Sequence, residues 1–177
     1  MNIFDIPIEE IHAIGYENQI YGYPLKIKSG LGKIADEINI IKNKYKIKYI
    51  YGIDLGCGNG ELIDYFNKTI NNSYWIGVEL SNYRIHISNY KNTNVIIEGN
   101  MLDLCYTDYN FLYINNLCFD DMLCEKLENK IVIEFSGHII TTKKFECQKL
   151  LKNISLIHTF SADTNWQKGY IFYLYYL

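Results

Sequence analysis

The sequence predicts an α/β fold, a mostly parallel central sheet finished by an antiparallel C-terminal hairpin, and three observations carry that prediction. Strand-length apolar runs alternate with helical periodicities from Ile50 to Thr142, the order in which parallel strands are joined by crossover helices. The first of those strands, YIYGIDL, runs straight into the glycine-rich turn GCGNG, the mark of a strand-to-helix connection at a sheet's carboxyl edge. The chain closes with ISLIHTF and YIFYLYY, two strand patterns without a helix-length spacer between them, which makes a hairpin on one sheet edge.

Taken in order, residues 7–13 read as a short helix opened by Pro7. Residues 30–43 set Leu31, Ile34, Ala35, Ile38 and Ile41 at helical spacing, giving one amphipathic helix. A strand at 48–54 precedes the glycine turn, and a helix through Leu62, Ile63 and Phe66 follows it. Next come a strand at 74–79, a helix at 81–90 and strands at 94–98 and 110–114. Asp120 and Asp121 begin a helix, because its first turn favours negative charge. Strands at 138–142, 154–160 and 169–176 complete the chain. A length of 177 residues with 49% hydrophobic content suits one domain, and no repeat, proline-rich linker or low-complexity tail divides it.

Composition narrows the function. A formal charge of −3 opposes a broad nucleic-acid coat, which needs a basic face. Any basic patch is local: Lys26, Lys28, Lys33, Lys42, Lys44, Lys46 and Lys48 form either a solvated helix face or a short stretch able to touch DNA. Five cysteines without a CxxC pair give neither a zinc ligand set nor a disulfide framework and fit a reducing intracellular compartment. His12, His86, His138 and His158 are scattered without ligand spacing, so no metal is expected. The N-terminus MNIFDIPIEE has no signal-peptide pattern and no apolar stretch reaches membrane-spanning length, so neither secretion nor a membrane partner is expected.

The turn specifies the chemistry. Gly56, Gly58 and Gly60 let the backbone pass close to a ligand, with the N–H groups of the next helix facing it. No Lys-Ser or Lys-Thr follows, which disfavours an ATP-hydrolysing phosphate loop. Asp54, just upstream, repels a pyrophosphate but suits an ammonium group, and Glu79, ending the next strand, can accept both hydroxyls of a ribose. Two acids around a glycine turn suit a cationic nucleoside, and S-adenosylmethionine has that character. A Rossmann-like, S-adenosylmethionine-dependent class I methyltransferase fold follows, with Cys57, Glu61 and Leu80 expected alongside the cofactor. A nicotinamide cofactor would want a third glycine at position 61, which is Glu.

The stretches IYGYPLKIKSGLGKIADEI, YGIDLGCGNGELI, YWIGVEL, IIEGNMLD, FLYINNLCFDDMLCEKL, GHIITTKKF and SADTNWQKGYIFYLYY occur in an order that resembles the disruptor-of-telomeric-silencing family of histone-lysine methyltransferases, which lack a SET domain. The resemblance covers roughly residues 20 to 176. It implies a methyl donor site and a lysine channel, with residues 1–47 as a helical segment carrying the loop over the cofactor and 48–177 as the core. Tyr21 and Gly22 match that loop, although Tyr23 stands where the family has an acid. Glu61 replaces the family's frequent Gln, Asn100 stands for the adenine-contacting Asp and Met101 for a stacking aromatic. Asn115 matches the first Asn of the pair near the methyl group, and Phe119 and Trp166 match walls of the lysine channel. Tyr170, Phe172 and Tyr173 compete for the remaining wall.

Each of these has a plainer reading: Phe119 as core, and Asn115 with Asn116 as caps of the helix led by Asp120. The expected activity is methyl transfer to a lysine of a histone, in the nucleosome or free, or of another basic protein, in a nucleus or host nucleus. Nucleic-acid or small-molecule methylation, or a noncatalytic cofactor-binding partner, are the alternatives. The Asn-Pro-Pro-aromatic motif of amine methylation on flipped bases is missing after Asn115.

Overall fold

A computed structural model describes residues 27–87 and 95–177. The helix expected at 7–13, the loop of Tyr21 and Gly22, and the end of the helix expected at 81–90 lie outside the described residues.

A π-turn, Ile27–Leu31, leads into α1 (Gly32–Lys44). Leu31, Ile34, Ala35, Ile38 and Ile41 are all buried, as their spacing requires. Then follow β1 (Ile50–Leu55), α2 (Glu61–Thr69), β2 (Ser73–Glu79), α3 (Asn82–Ile87), β3 (Ile96–Glu98) and a 3-10 turn at Met101–Asp103. The second half holds β4 (Phe111–Ile114), α4 (Asp121–Glu134), β5 (His138–Thr141), α5 (Gln148–Leu151), β6 (Ser155–Ala162) and β7 (Tyr170–Tyr176).

The strands form one seven-stranded sheet in the order β3-β2-β1-β4-β5-β7-β6. β3, β2, β1, β4 and β5 pair in parallel, whereas β7 runs antiparallel between β5 and β6. The hairpin thus sits at one edge, with its second strand on the inside. Two apolar layers cover the sheet. One joins α1 and α2 to Trp75, Phe111, Tyr113 and Phe172; the other joins α4 to Ile53, Leu112, Ile114 and Ile139. Alternating residues of β1 feed opposite layers, Ile50 the first and Ile53 and Leu55 the second, as the pleat dictates.

Helix α4 starts where its acids predict. Asp120 is the N-cap, its carboxylate accepting from the Leu123 N–H at 2.7 Å. The cap is therefore Asp120, and Asn115 and Asn116 do not cap α4. The one-turn helix α5 is held from a distance: the buried Glu128 of α4 accepts from the N–H groups of Glu146 and Cys147 at 2.9 and 2.6 Å.

Among the described residues no helix is long and apolar enough to cross a membrane.

Candidate functional site

The strand order reverses between β1 and β4, two parallel neighbours, and that switch point opens a crevice at the sheet's carboxyl edge. Gly56, Gly58 and Gly60 follow β1 with φ of 86°, 58° and 78°. Side chains with a Cβ rarely adopt that left-handed backbone, so the turn is written in glycine for conformation as well as for access. Gly56 and Cys57 both donate N–H bonds to the Val78 carbonyl at 2.9 Å, which ties the turn to the end of β2. Beneath it lies Gly77, where an added Cβ would come within 2.4 Å of the Cys57 side chain. The loop can lie this close to the sheet because Gly77 has no side chain.

Glu79 organises the site. One carboxylate oxygen accepts from Gly58 N–H at 2.7 Å and the other from Ser81 N–H at 2.9 Å. Arg84 of α3 approaches that second oxygen to 3.8 Å, and both side chains are almost wholly buried. Each carboxylate oxygen carries two lone pairs, so Glu79 can hold the turn and still accept from a ribose. Nothing in the sequence singles out Arg84, because one arginine on a short helix reads as surface.

Asp54 lies beside this group. It is 4% exposed and, among the described residues, no donor or cation reaches its carboxylate. Burial first, then the charge of Glu79, pushes its pKa well above the usual carboxylate range. Among the described residues, the two buried carboxylates have one guanidinium nearby, Arg84 against Glu79, which leaves the site short of positive charge. Cys57 feels the same environment: burial, then Asp54 and Glu79, raise its thiol well above its ordinary value. It lines the turn as a neutral thiol, which argues against a nucleophilic role.

Next to Glu79, a cleft of about 50 Å³ is lined by Gly56, Leu80, Arg84, Asn100 and Met101 among others. Leu80 and Asn100 thus come together with the turn. The Asn100 side-chain oxygen also accepts from Leu102 N–H at 2.9 Å, capping the 3-10 turn. Met101 closes the cleft from above: its methyl lies 3.8 Å from where a Cβ on Gly56 would be. A flexible thioether can swing aside for a ring larger than the cleft. Glu61 is exposed at the first turn of α2.

Farther along the same edge, β4 and β5 end in a polar knot. Thr142 Oγ donates within reach of both Asn115 Oδ1, at 2.9 Å, and Asn116 Oδ1, at 3.2 Å. Asn116 Oδ1 also accepts from Lys143 N–H at 2.8 Å. Thr142 carries this contact to the hairpin, since its carbonyl accepts from the Tyr170 hydroxyl at 3.1 Å. Trp166 packs edge-on against Tyr170 with ring centroids 5.3 Å apart. Among the three aromatics that competed for the channel wall, Tyr170 is the one placed here. Phe172 is in the core, stacked on Phe160, and Tyr173 packs on the opposite layer. Phe119 makes no ring contact with Trp166. Its ring is 4% exposed in the α4 layer, so it fills the core where a channel wall was expected. The apolar strand end that carries it turns inward at the Phe119 N–H to Asn116 carbonyl bond.

Among the described residues no cluster of three or more His, Cys, Asp or Glu side chains could hold a metal ion.

No family model and no curated protein matches the chain. Solved structures do. The chain is similar to a magnesium protoporphyrin IX methyltransferase from Synechocystis, solved with bound SAM (S-adenosylmethionine), at 12% identity and a TM-score of 0.56, covering 81% of this chain and 76% of that one. A Pyrococcus horikoshii protein provisionally assigned as an RNA methyltransferase aligns at 12% identity and a TM-score of 0.55 over 97% of this chain and 98% of its own. The plantazolicin methyltransferase BpumL, solved with SAH and a substrate analogue, aligns at 19% identity and a TM-score of 0.51; 62% of this chain is covered, spanning 44% of that enzyme's length. At such identities the likeness is one of fold. The seven-stranded, mostly parallel sheet with one antiparallel hairpin is the Rossmann-like fold of class I methyltransferases.

Proposed function

We propose that this chain is an S-adenosylmethionine-dependent methyltransferase acting on a lysine side chain, in a histone or another basic protein. The observation that carries the reading is the pair of buried carboxylates, Asp54 and Glu79, flanking three left-handed glycines at the carboxyl edge of the sheet. Such a site favours a cation. S-adenosylmethionine, a sulfonium with an ammonium group and a ribose, supplies a methyl group that a nucleophile can take.

The chain's own residues account for the rest. Asp54 offers its unshared charge to the ammonium group, and Glu79 keeps lone pairs for the ribose hydroxyls. Leu80, Asn100 and Met101 form the wall against which the adenine packs, Met101 by moving. Asn115 Oδ1, held in place by Thr142, receives an N–H of the incoming amine and fixes its direction. Geometry counts for more than acid–base chemistry here, since alignment of the reacting atoms supplies a large part of the rate. The amine of lysine, with an ordinary pKa near 10.4, must lose its proton first. Trp166 and Tyr170 present aromatic surface at that end, which disfavours the charged form.

A histone target, and with it a nuclear place of work, rests on the resemblance carried by INNLCF, the acidic helix start and IITTK. The deciding assay offers tritiated S-adenosylmethionine with nucleosomes, free histones, DNA, RNA and a metabolite extract. Label in a protein fraction that survives as methyl-lysine after acid hydrolysis supports the proposal; label confined to nucleic acid or metabolites overturns it.

A further inference from the structure

The opposite edge of the sheet, where the parallel strands begin, carries a feature the methyl-transfer site does not use. Five tyrosines lie exposed there, between 39% and 50%: Tyr45, Tyr49, Tyr51, Tyr74 and Tyr176. The strand register puts them in a row. Tyr74 on β2 pairs with Tyr51 on β1, Asn110 before β4 bonds the backbone of Tyr49 and Tyr51, and His138 on β5 pairs with Tyr176 on β7. Four strand-to-strand steps make this row roughly 19 Å long. Tyr49 and Tyr51 meet at 4.7 Å between centroids, and Tyr45 stacks on Tyr176 at 6.2 Å with an interplanar angle of 5°.

Three exposed lysines, Lys44, Lys46 and Lys48, sit on the segment that crosses from Tyr45 to Tyr49. Lys44 Nζ lies 5.3 Å from the Tyr45 ring centroid. Four other lysines pair with acids: Lys33 with Glu37, Lys68 with Asp64, Lys130 with Glu134 and Lys143 with Asp121. Among the described residues no acid pairs with Lys44, Lys46 or Lys48. Asp108 puts one opposing charge near the β2 end of the row, where it acts on Tyr109. His138 adds no charge, because burial lowers its pKa to about 4.

Ammonium groups interleaved with exposed aromatic faces match a chain of phosphates interleaved with bases. Tyr45 belongs with the α1 side of the sheet and Tyr51 and Tyr74 with the α4 side, so an occupant must bend over an edge. A flexible strand does this, and a duplex with a persistence length of about 150 base pairs does not. We propose that this edge is a docking surface for single-stranded nucleic acid, with Lys44, Lys46 and Lys48 on its phosphates and the tyrosine rings against its bases. Because the surface is remote from the glycine turn, it tethers the protein and leaves the reaction site open.

Fluorescence anisotropy on the full chain tests this with labelled 12-nucleotide single strands of RNA and of DNA, a duplex of equal length and a polyglutamate peptide. The single strands should bind, and the duplex and peptide at least tenfold more weakly. Changing Lys44, Lys46 and Lys48 together to Gln should lower the slope of log affinity against log salt by about 2, at roughly 0.7 per single-strand contact. The double variant Tyr49→Ala, Tyr51→Ala should lose at least about tenfold in affinity with that slope retained. The melting shift with S-adenosylhomocysteine should stay unchanged in each variant and reports an intact fold; if the tyrosine variant loses it, the lysine variant decides. Duplex or polyglutamate binding as tight as the strand, no strand binding up to roughly 100 µM, or an unchanged salt slope in the lysine variant overturns the proposal.

Discussion

Substituting Glu79 by Gln separates the two roles this side chain performs. Its carboxylate accepts from Gly58 N–H at 2.7 Å and Ser81 N–H at 2.9 Å, and it faces the buried Arg84 at 3.8 Å. Gln has the same shape but only one acceptor oxygen. If that oxygen stays on Gly58, the amide nitrogen meets the Ser81 N–H, donor against donor, and Arg84 loses its buried counter-charge. Removing one partner of a buried ion pair costs about 3–5 kcal/mol. In a domain of this size each kcal/mol moves the Tm by about 2–4 °C, so the Glu79→Gln protein should melt roughly 6–20 °C lower without ligand. Differential scanning calorimetry of wild type, Glu79→Gln, Arg84→Met and the double variant reads this directly. The double variant removes both charges and should recover at least about 1 kcal/mol relative to the sum of the single changes, since contacting residues couple by 0.5–3 kcal/mol. Additive losses would refute the pairing of Arg84 with Glu79 as the device that holds the turn.

Three further outcomes follow from named groups. Asp54, raised above 3.8 by burial and by Glu79, keeps its proton in the folded chain at pH values where the unfolded chain has released it. Its contribution to stability is therefore full below 3.8 and is lost as pH rises through the raised value. A cation bound beside it favours the ionised form, so S-adenosylmethionine affinity should climb over that same interval, and Asp54→Asn should flatten the climb in calorimetric titrations. Thr142→Val removes the hydroxyl that holds Asn115; it should lower kcat by about tenfold with cofactor affinity unchanged, at a stability loss of about 1 kcal/mol, while Thr142→Ser keeps both. Trp166→Ala should raise KM for the amine substrate several-fold and leave the melting shift with S-adenosylhomocysteine intact.

The layers of the fold were legible because they depend on local periodicity. The face of α1 repeats at helical spacing, and the strands of the parallel half are apolar runs bounded by turn residues. The glycine turn with Asp54 and Glu79 was legible for the same reason, being one short stretch and the end of the next strand. Features set by distant partners were not. Thr142 acts on Asn115 across 27 residues of chain, and Glu128 caps α5 from 18 and 19 residues away. Arg84 gains its meaning only when α3 folds back over Glu79. Phe119 shows the converse: strand-end aromatics look alike in sequence whether they face a channel or a core, and packing against α4 decided it. The register of the hairpin sets Tyr173 on the other layer from Tyr170 and Phe172, and burial then separates the half-buried Tyr170 from the core Phe172.

Isothermal titration of the purified chain with S-adenosylmethionine, with Gly58→Arg in parallel, decides whether the crevice holds the methyl donor. Wild type should bind at one site per chain and Gly58→Arg should give no heat, because the change puts a bulky cation on a left-handed position of the turn that bonds Glu79. Absence of binding in a folded wild-type chain, or equal binding in the variant, would contradict a donor site there.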